Sequence, residues 1–215
     1  MQPDFWLQRW QDDQTGWHRD EVHPHLTRMA PTWLEGGTRV LVPLCGRTLD
    51  LAWLAERCEV VGVELSAIAA AGIFADAGME PTRTAHGPFE RWQSGNLSVL
   101  VGNFFDLSPA WVPMCDRVWD RAAWIAIHPT DRSRYAEVTR TVAPGARLLF
   151  NGIHYDPRIQ DGPPWSFSED QLRAFYPNAT LRQRTDVLDE RWRERGHSWM
   201  ESLLFEIELP ATEEP

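Results

Sequence analysis

The sequence predicts an α/β fold, a doubly wound and mostly parallel sheet of seven strands with helices on both faces. Three observations carry that expectation. Residues 39–66 read RVLVPLCGRTLDLAWLAERCEVVGVELS, a short valine-rich run, a corner, an amphipathic stretch and a second valine-rich run. Such runs make strands buried on both faces and joined by a crossover helix. The second run ends in Glu64, an acid about 20 residues beyond the corner, where sheets of this kind hold a nucleoside ribose. Later, the alternation of strand-like 115–119, helical 122–127 and 129–142, the turn Pro144-Gly145 and strand-like 146–153 repeats the β–α–β pattern.

In chain order, residues 4–11 place Phe5, Trp6 and Trp10 on one face of a short helix, Trp6 and Trp10 being one turn apart. Residues 11–15 break it, and Gly16-Trp17-His18 follows. Residues 1–30 precede the first strand and have no place in the sheet, so they form either a plain amphipathic cap or a lid over the strand ends, where ligands of such sheets bind. His23-Pro24-His25 has no third ligand nearby. A solvated helix start is expected there, and no metal site.

The first strand is expected at 39–43, the corner at Leu44-Cys45-Gly46, a helix at 48–57 and the second strand at 59–63. A dinucleotide loop carries three glycines, whereas this corner has one, so a diphosphate would meet Leu44 and Cys45. A ribose with an amino-acid tail and no phosphate, as in S-adenosylmethionine, needs only the close turn and Glu64. Ser66 is a good N-cap for a helix over 67–77 that Gly78 stops. Residues 81–85 form a third strand, 86–96 a polar excursion, and 97–101 a strand or hairpin arm leading to Asn103, Phe104 and Asp106. Asn103 and Phe104 either flank an adenine ring or belong to the core. The strand at 115–119 ends in Asp120-Arg121, two charges at the sheet rim. Ser168 caps a helix over 169–176, and strands at 180–188 and 198–209, joined by the charged stretch 189–196, close the sheet as an antiparallel edge. The tail 211–215 is expected to be disordered.

At 215 residues a single domain is expected. The formal charge of −10 argues against nucleic acid as a partner. All 21 basic residues are arginine, which excludes Schiff-base chemistry and a P-loop lysine. The three cysteines are far apart, so neither a disulfide framework nor a zinc ribbon is indicated. With no signal peptide and no apolar run of about 18 residues, a cytoplasmic protein without a membrane partner is expected.

Seven segments stand in order along nearly the whole chain: FWLQRWQDDQTGWH, LVPLCGRTLDLAWLAE, VVGVELS, GNFFDL, VWDRAAWIAIHP, DGPPWSFS and ERGHSWMESLLFE. In order and spacing they resemble the bacterial thiopurine S-methyltransferase family. The resemblance implies a class I methyltransferase fold, S-adenosylmethionine as methyl donor with S-adenosylhomocysteine as product, and the lid rather than the cap. Carried over residue by residue, it implies donor contacts at Trp6, Trp10 and Trp17 in the lid and at Leu44 and Gly46 in the corner. It further implies Glu64 on the ribose, Asn103 and Phe104 by the adenine, and Arg121. Its acceptor-side arginines fall on Arg121 and Arg195, which stay charged and so favour an anionic sulfur. Asp120 is a catalytic candidate, to orient Arg121, to hold a water or to act as a general base. The implied acceptors are thiopurines and related aromatic or heterocyclic thiols. Relatives of the family act on selenium or tellurium oxyanions, halides or thiocyanate, so the acceptor class is a small thiol or chalcogen molecule. A monomer is expected. The rival readings are an NAD-linked oxidoreductase, against which the missing glycines speak, and a non-enzymatic binding protein that would not need the two arginines.

Overall fold

The computed structural model describes residues 3–211. The last four residues of the tail, 212–215, for which disorder was expected, lie outside the described residues, as do the first two of the expected lid. The strands are β1 (Arg39–Val42), β2 (Glu59–Glu64), β3 (Thr82–His86), β4 (Phe89–Ser94), β5 (Leu97–Val101), β6 (Arg117–Arg121), β7 (Arg147–His154), β8 (Thr180–Asp186) and β9 (Glu201–Glu208). They make one sheet in the order β3-β4-β5-β2-β1-β6-β7-β9-β8. The five central strands β5, β2, β1, β6 and β7 are parallel, and an antiparallel pair flanks each edge.

Period-two alternation fills both faces of this sheet. Val40 and Val42 join Leu26, Trp33, Leu51, Leu54 and Ile73 on one side, while Leu41, Val61 and Val63 join Trp124, Tyr135, Phe150 and Leu172 on the other. The first side is covered by α2 (Pro24–Trp33), α3 (Asp50–Ala55) and α4 (Ala67–Asp76), the second by α5 (Ala123–Ala126), α6 (Arg132–Val142) and α7 (Glu169–Phe175). Burying each such aliphatic side chain contributes about 1.5–3 kcal/mol, so the central strands are fixed in register by both layers. Ser66 caps α4 by accepting from Ala69 N at 3.3 Å, as its position suggested.

The structure corrects the strand count to nine. The stretch read as a polar excursion contains β4, which has only two buried apolar residues, Phe89 and Trp92. They are three apart and therefore on opposite faces, so neither a helical nor an alternating pattern marks the strand. Arg83 from β3 covers the Trp92 ring at 3.6 Å, which lets an edge hairpin with polar strands stand. The charged stretch 189–196 contains α8 (Glu190–Glu194), capped by Asp189 Oδ1 accepting from Trp192 N at 3.0 Å. The helix expected over 129–142 begins instead with a single 3-10 turn, Pro129–Asp131. The start of α2 is not solvated either, for His23 and His25 are both buried. Burial, with Arg121 nearby, holds the His23 ring down to about 3, and no metal-binding group occurs among the described residues.

Candidate active site

A cavity of about 330 Å³ lies at the carboxyl ends of β2, β1, β6 and β7. Its first wall follows from the corner after β1. Leu44 and Gly46 both take left-handed backbone conformations, φ 45° and 58°, and Cys45 N donates to Val63 O at 3.0 Å, so the chain reverses within three residues. The reversal aims Gly46 N at Glu64 Oε2 (2.8 Å), while Ser66 N donates to Oε1 (2.8 Å). Each oxygen keeps a free lone pair for a ligand hydroxyl. Burial raises the Glu64 pKa, and these backbone donors offset part of that rise. Cys45 is buried beside Glu64, and burial pushes its thiol well up, which leaves it an inert packed side chain.

The opposite wall starts at the end of β6. Successive strand residues point to opposite faces, and here that separates Asp120 from Arg121. Arg121 faces the cavity and donates to Thr48 Oγ1 at 3.2 Å and to Trp17 O at 3.5 Å. Burial lowers its pKa; Asp50 opposes that shift and is itself held by His23 N (2.8 Å) and Trp119 Nε1 (2.8 Å). Asp120 faces the core, 1% exposed, and accepts from Tyr135 Oη (2.9 Å), Ala123 N (3.0 Å) and Trp124 N (3.2 Å). It neither lines the cavity nor contacts Arg121, so it does not orient that guanidinium. Burial raises its pKa to about 7 against those three donors. Ala122, at φ 60°, makes the turn from β6 into α5 that brings the two N–H groups over Asp120.

A third wall comes from α1 (Pro3–Gln11) and the loop behind it. Trp6 and Trp10 meet the Trp17 ring edge-on at 5.4 and 5.8 Å, and Arg9 lies over that ring at 5.5 Å. A Cβ on Gly46 would come within 3.6 Å of Trp10, so the corner and this aromatic cluster are in contact. From α8 and the turn after it, Arg191 Nη1 donates to Gly16 O at 3.2 Å and Arg195 lies over Trp192 at 4.9 Å.

The cavity therefore brings together Trp6, Trp10, Trp17, Leu44, Gly46, Glu64, Arg121 and Arg195, all singled out from the sequence. It does not bring in Asn103 or Phe104. Asn103 Oδ1 accepts from Phe105 N at 3.1 Å to start a 3-10 turn, and Phe104 stacks on Tyr135 in the core at 4.8 Å. Sequence reasoning missed Arg9, Arg191 and Trp192. A usable signal was present, since Arg191 and Arg195 are one helical turn apart. Four arginines (Arg9, Arg121, Arg191 and Arg195) thus line the cavity against the single carboxylate of Glu64. None of the four is in ion-pair contact with a carboxylate among the described residues. In a chain of net charge −10, this is a cationic, aromatic chamber.

Comparison with known proteins places this architecture. The sequence profile of the family described as Thiopurine S-methyltransferase (TPMT) matches residues 1–208. A thiopurine S-methyltransferase of Pseudomonas aeruginosa is 39% identical, the match covering 97% of this chain and 99% of that one. The protein of the same name from Bordetella petrii is 38% identical over the same shares. Among solved structures, a SAM-dependent methyltransferase of Anabaena variabilis aligns with TM-score 0.63 at 10% identity, over 96% of this chain and 94% of that one. A Burkholderia thailandensis 1,6-didemethyltoxoflavin-N1-methyltransferase aligns with TM-score 0.60 at 16% identity, over 96% and 87%. At those identities the structural likeness concerns the fold.

Proposed function

The chain belongs to the thiopurine S-methyltransferase family and takes S-adenosylmethionine as methyl donor, and we propose that its acceptors are aromatic or heterocyclic thiols, thiopurines among them, bound as thiolates. The donor's needs fit the residues present. Glu64 offers two oriented oxygens to a ribose, and the corner keeps Leu44 and Cys45 where a diphosphate would otherwise lie. The cationic lining accepts an amino-acid carboxylate. When bound, the donor supplies an electrophilic methyl group on a sulfonium centre.

The observation that carries the acceptor reading is the surplus of guanidinium groups over carboxylates in an aromatic chamber. A thiolate needs no general base; it needs positive charge that cannot itself compete for the methyl group. Arg121 and Arg195 provide that, because a guanidinium stays protonated. The tryptophans of α1 and its following loop keep water out, which strengthens every charge interaction inside. Residues 3–22 serve as the lid in this reading, shorter than the expected 1–30 because α2 from Pro24 onward packs on the sheet, and they are held by Arg121 on one side and Arg191 on the other. Asp120 has no part in proton transfer, since it faces the core.

The test is methyl transfer from labelled donor to a thiopurine, thiophenol, selenite, tellurite and iodide under one set of conditions. The thiols should be methylated with the highest kcat/KM. Transfer confined to the inorganic anions would replace this reading by an oxyanion or halide methyltransferase, for which the cationic wall alone would suffice.

A further inference from the structure

A second cavity, of about 480 Å³, adjoins the first. Trp6, Ala126 and Pro163 line both, so these three residues are a shared partition and not two unrelated surfaces. The partition is on a definite side. Glu64 ends β2, whereas Ala126 ends α5 after β6, and β1 lies between β2 and β6 in the sheet. The second cavity thus opens from the half of the chamber opposite the ribose-binding acid.

We infer that the methyl acceptor extends past Trp6 and Pro163 into this second cavity, which takes the distal ring of a fused or linked aromatic thiol. The inference rests on the thiol reading above and adds the acceptor's shape to it. At about 330 Å³ the first cavity is at the small end of ligand sites, which run from roughly 300 to 1,000 Å³, and it must already hold the donor. The donor alone takes up most of that space, so an acceptor ring has to extend beyond it. The adjoining space is lined for one. Phe5, Trp6 and Trp165 supply aromatic surface, and His128 meets the Trp165 ring edge-on at 4.8 Å. Trp165 is held in place: its backbone N–H donates to Ile125 O at 2.7 Å, and its indole lies against Gly162, where a Cβ would come within 2.4 Å of it. Only glycine at 162 lets the indole close down on the loop, so this wall is set before any ligand arrives. The polar groups stand at the rim. His128 Nδ1 lies 2.7 Å from Thr130 Oγ1 and 3.3 Å from Thr130 N, so Nε2 is the ring nitrogen left to meet a heteroatom on the distal ring.

The experiment compares biphenyl-4-thiol with thiophenol, two acceptors with the same nucleophile and different length. In Trp165→Ala the wall is removed. In Thr130→Trp an exposed rim residue fills the space, a change that leaves the core untouched. The ratio of kcat/KM for the long over the short thiol should fall about tenfold in the first variant, as expected for loss of an aromatic contact, and further in the second. A ratio equal to wild type in both variants overturns the inference. A binding measurement separates this outcome from failure of the thiol reading. In wild-type protein with S-adenosylhomocysteine, the indole N–H resonance of Trp165 should shift on adding 4-(methylthio)biphenyl and stay put with thioanisole. Equal shifts, or none, overturn the subsite. If neither thiol is methylated yet the Trp165 resonance responds to the two-ring compound alone, the subsite stands and the thiol reading falls.

Discussion

At the β2 end of the cavity, Glu64 is held by backbone N–H groups only 2 and 18 residues away in sequence, and the whole wall is made within residues 39–66. At the β6–β7 end, the wall is assembled from Trp6, Arg121, Ala126, Pro163, Arg191 and Arg195, drawn from four separate segments, while Trp17 reaches both the corner and Arg121. The first half uses backbone geometry and one carboxylate. The second uses charged and aromatic side chains delivered by α1, α5 and α8 and the loops around them. Backbone turns leave little freedom for variation, whereas loop-borne side chains are where specificity is adjusted on a constant scaffold. The proposed function puts the constant ligand in the first half and the variable one in the second, and this difference is what supports that reading.

The two buried strand-end acids offer the sharpest way to test that division, and the largest effect. Glu64 faces the ligand space and Asp120 the core. The Asp120 pKa rises from 3.8 to about 7, so the folded chain holds its proton more tightly than the unfolded one. The associated stability is complete below about pH 4 and is lost as pH rises to about 7, with a span on the order of 4 kcal/mol. Thermal melts of wild type and Asp120→Asn should therefore diverge between pH 4 and 7, wild type losing ground as pH rises. A constant difference across that window would mean that Asp120 does not titrate there.

Glu64→Ala should weaken S-adenosylhomocysteine binding by about 2 kcal/mol, roughly thirtyfold, because two charge-assisted hydrogen bonds to the ribose are lost. Calorimetry should give the same loss with and without a thiol present. Loss that depended on the acceptor would blur the two halves. On the other side, Arg195→Ala should lower kcat/KM for a thiopurine about tenfold while leaving a neutral thioether acceptor near wild type, with Arg195→Lys between them. The melting temperature should barely move, since Arg195 has no ion-pair contact among the described residues. A uniform loss with both acceptors would make Arg195 a general structural charge.

The smallest effect concerns the lid. Arg191→Ala removes one hydrogen bond to Gly16 O, worth about 1 kcal/mol, so amide exchange over residues 6–17 should quicken roughly fivefold. S-adenosylhomocysteine should slow exchange there in wild type. Equal protection with and without it would describe a permanently docked cap.

What could be read in advance follows the same line. The corner, Glu64 and the valine-rich strands were legible because they are local and obey a two-residue period. Arg121 and Arg195 came from the family resemblance, and both line the cavity, one from β6 and the other from the turn after α8. Asp120 was paired with Arg121 because they are neighbours in sequence, yet adjacent residues on a strand face opposite sides, and its true partners, Tyr135 and the start of α5, follow it in the chain. Asn103 and Phe104 at the end of β5 turned out to be a cap and a core ring, which no local pattern distinguishes from a ligand contact. β4 was hidden because its two apolar residues serve different faces, and α8 because its charges masked an Asp189 cap.

Leu44 and Ala122 hold left-handed backbone conformations at the ends of neighbouring strands β1 and β6, and both line the cavity. For a residue with a Cβ that conformation costs about 1–2 kcal/mol, which glycine would recover. At Ala122 glycine removes only a methyl group, so Ala122→Gly should raise the melting temperature, whereas in Leu44→Gly the isobutyl group that packs against the core is lost, and that loss, about 2 kcal/mol or more, outweighs the relief. Both changes would also strip the chamber, of an isobutyl group at the end of β1 and of a methyl group at the end of β6. Robustness and ligand fit are thus opposed at Ala122 and joined at Leu44, so a screen on melting temperature alone would erode the chamber at one strand end and preserve it at the other.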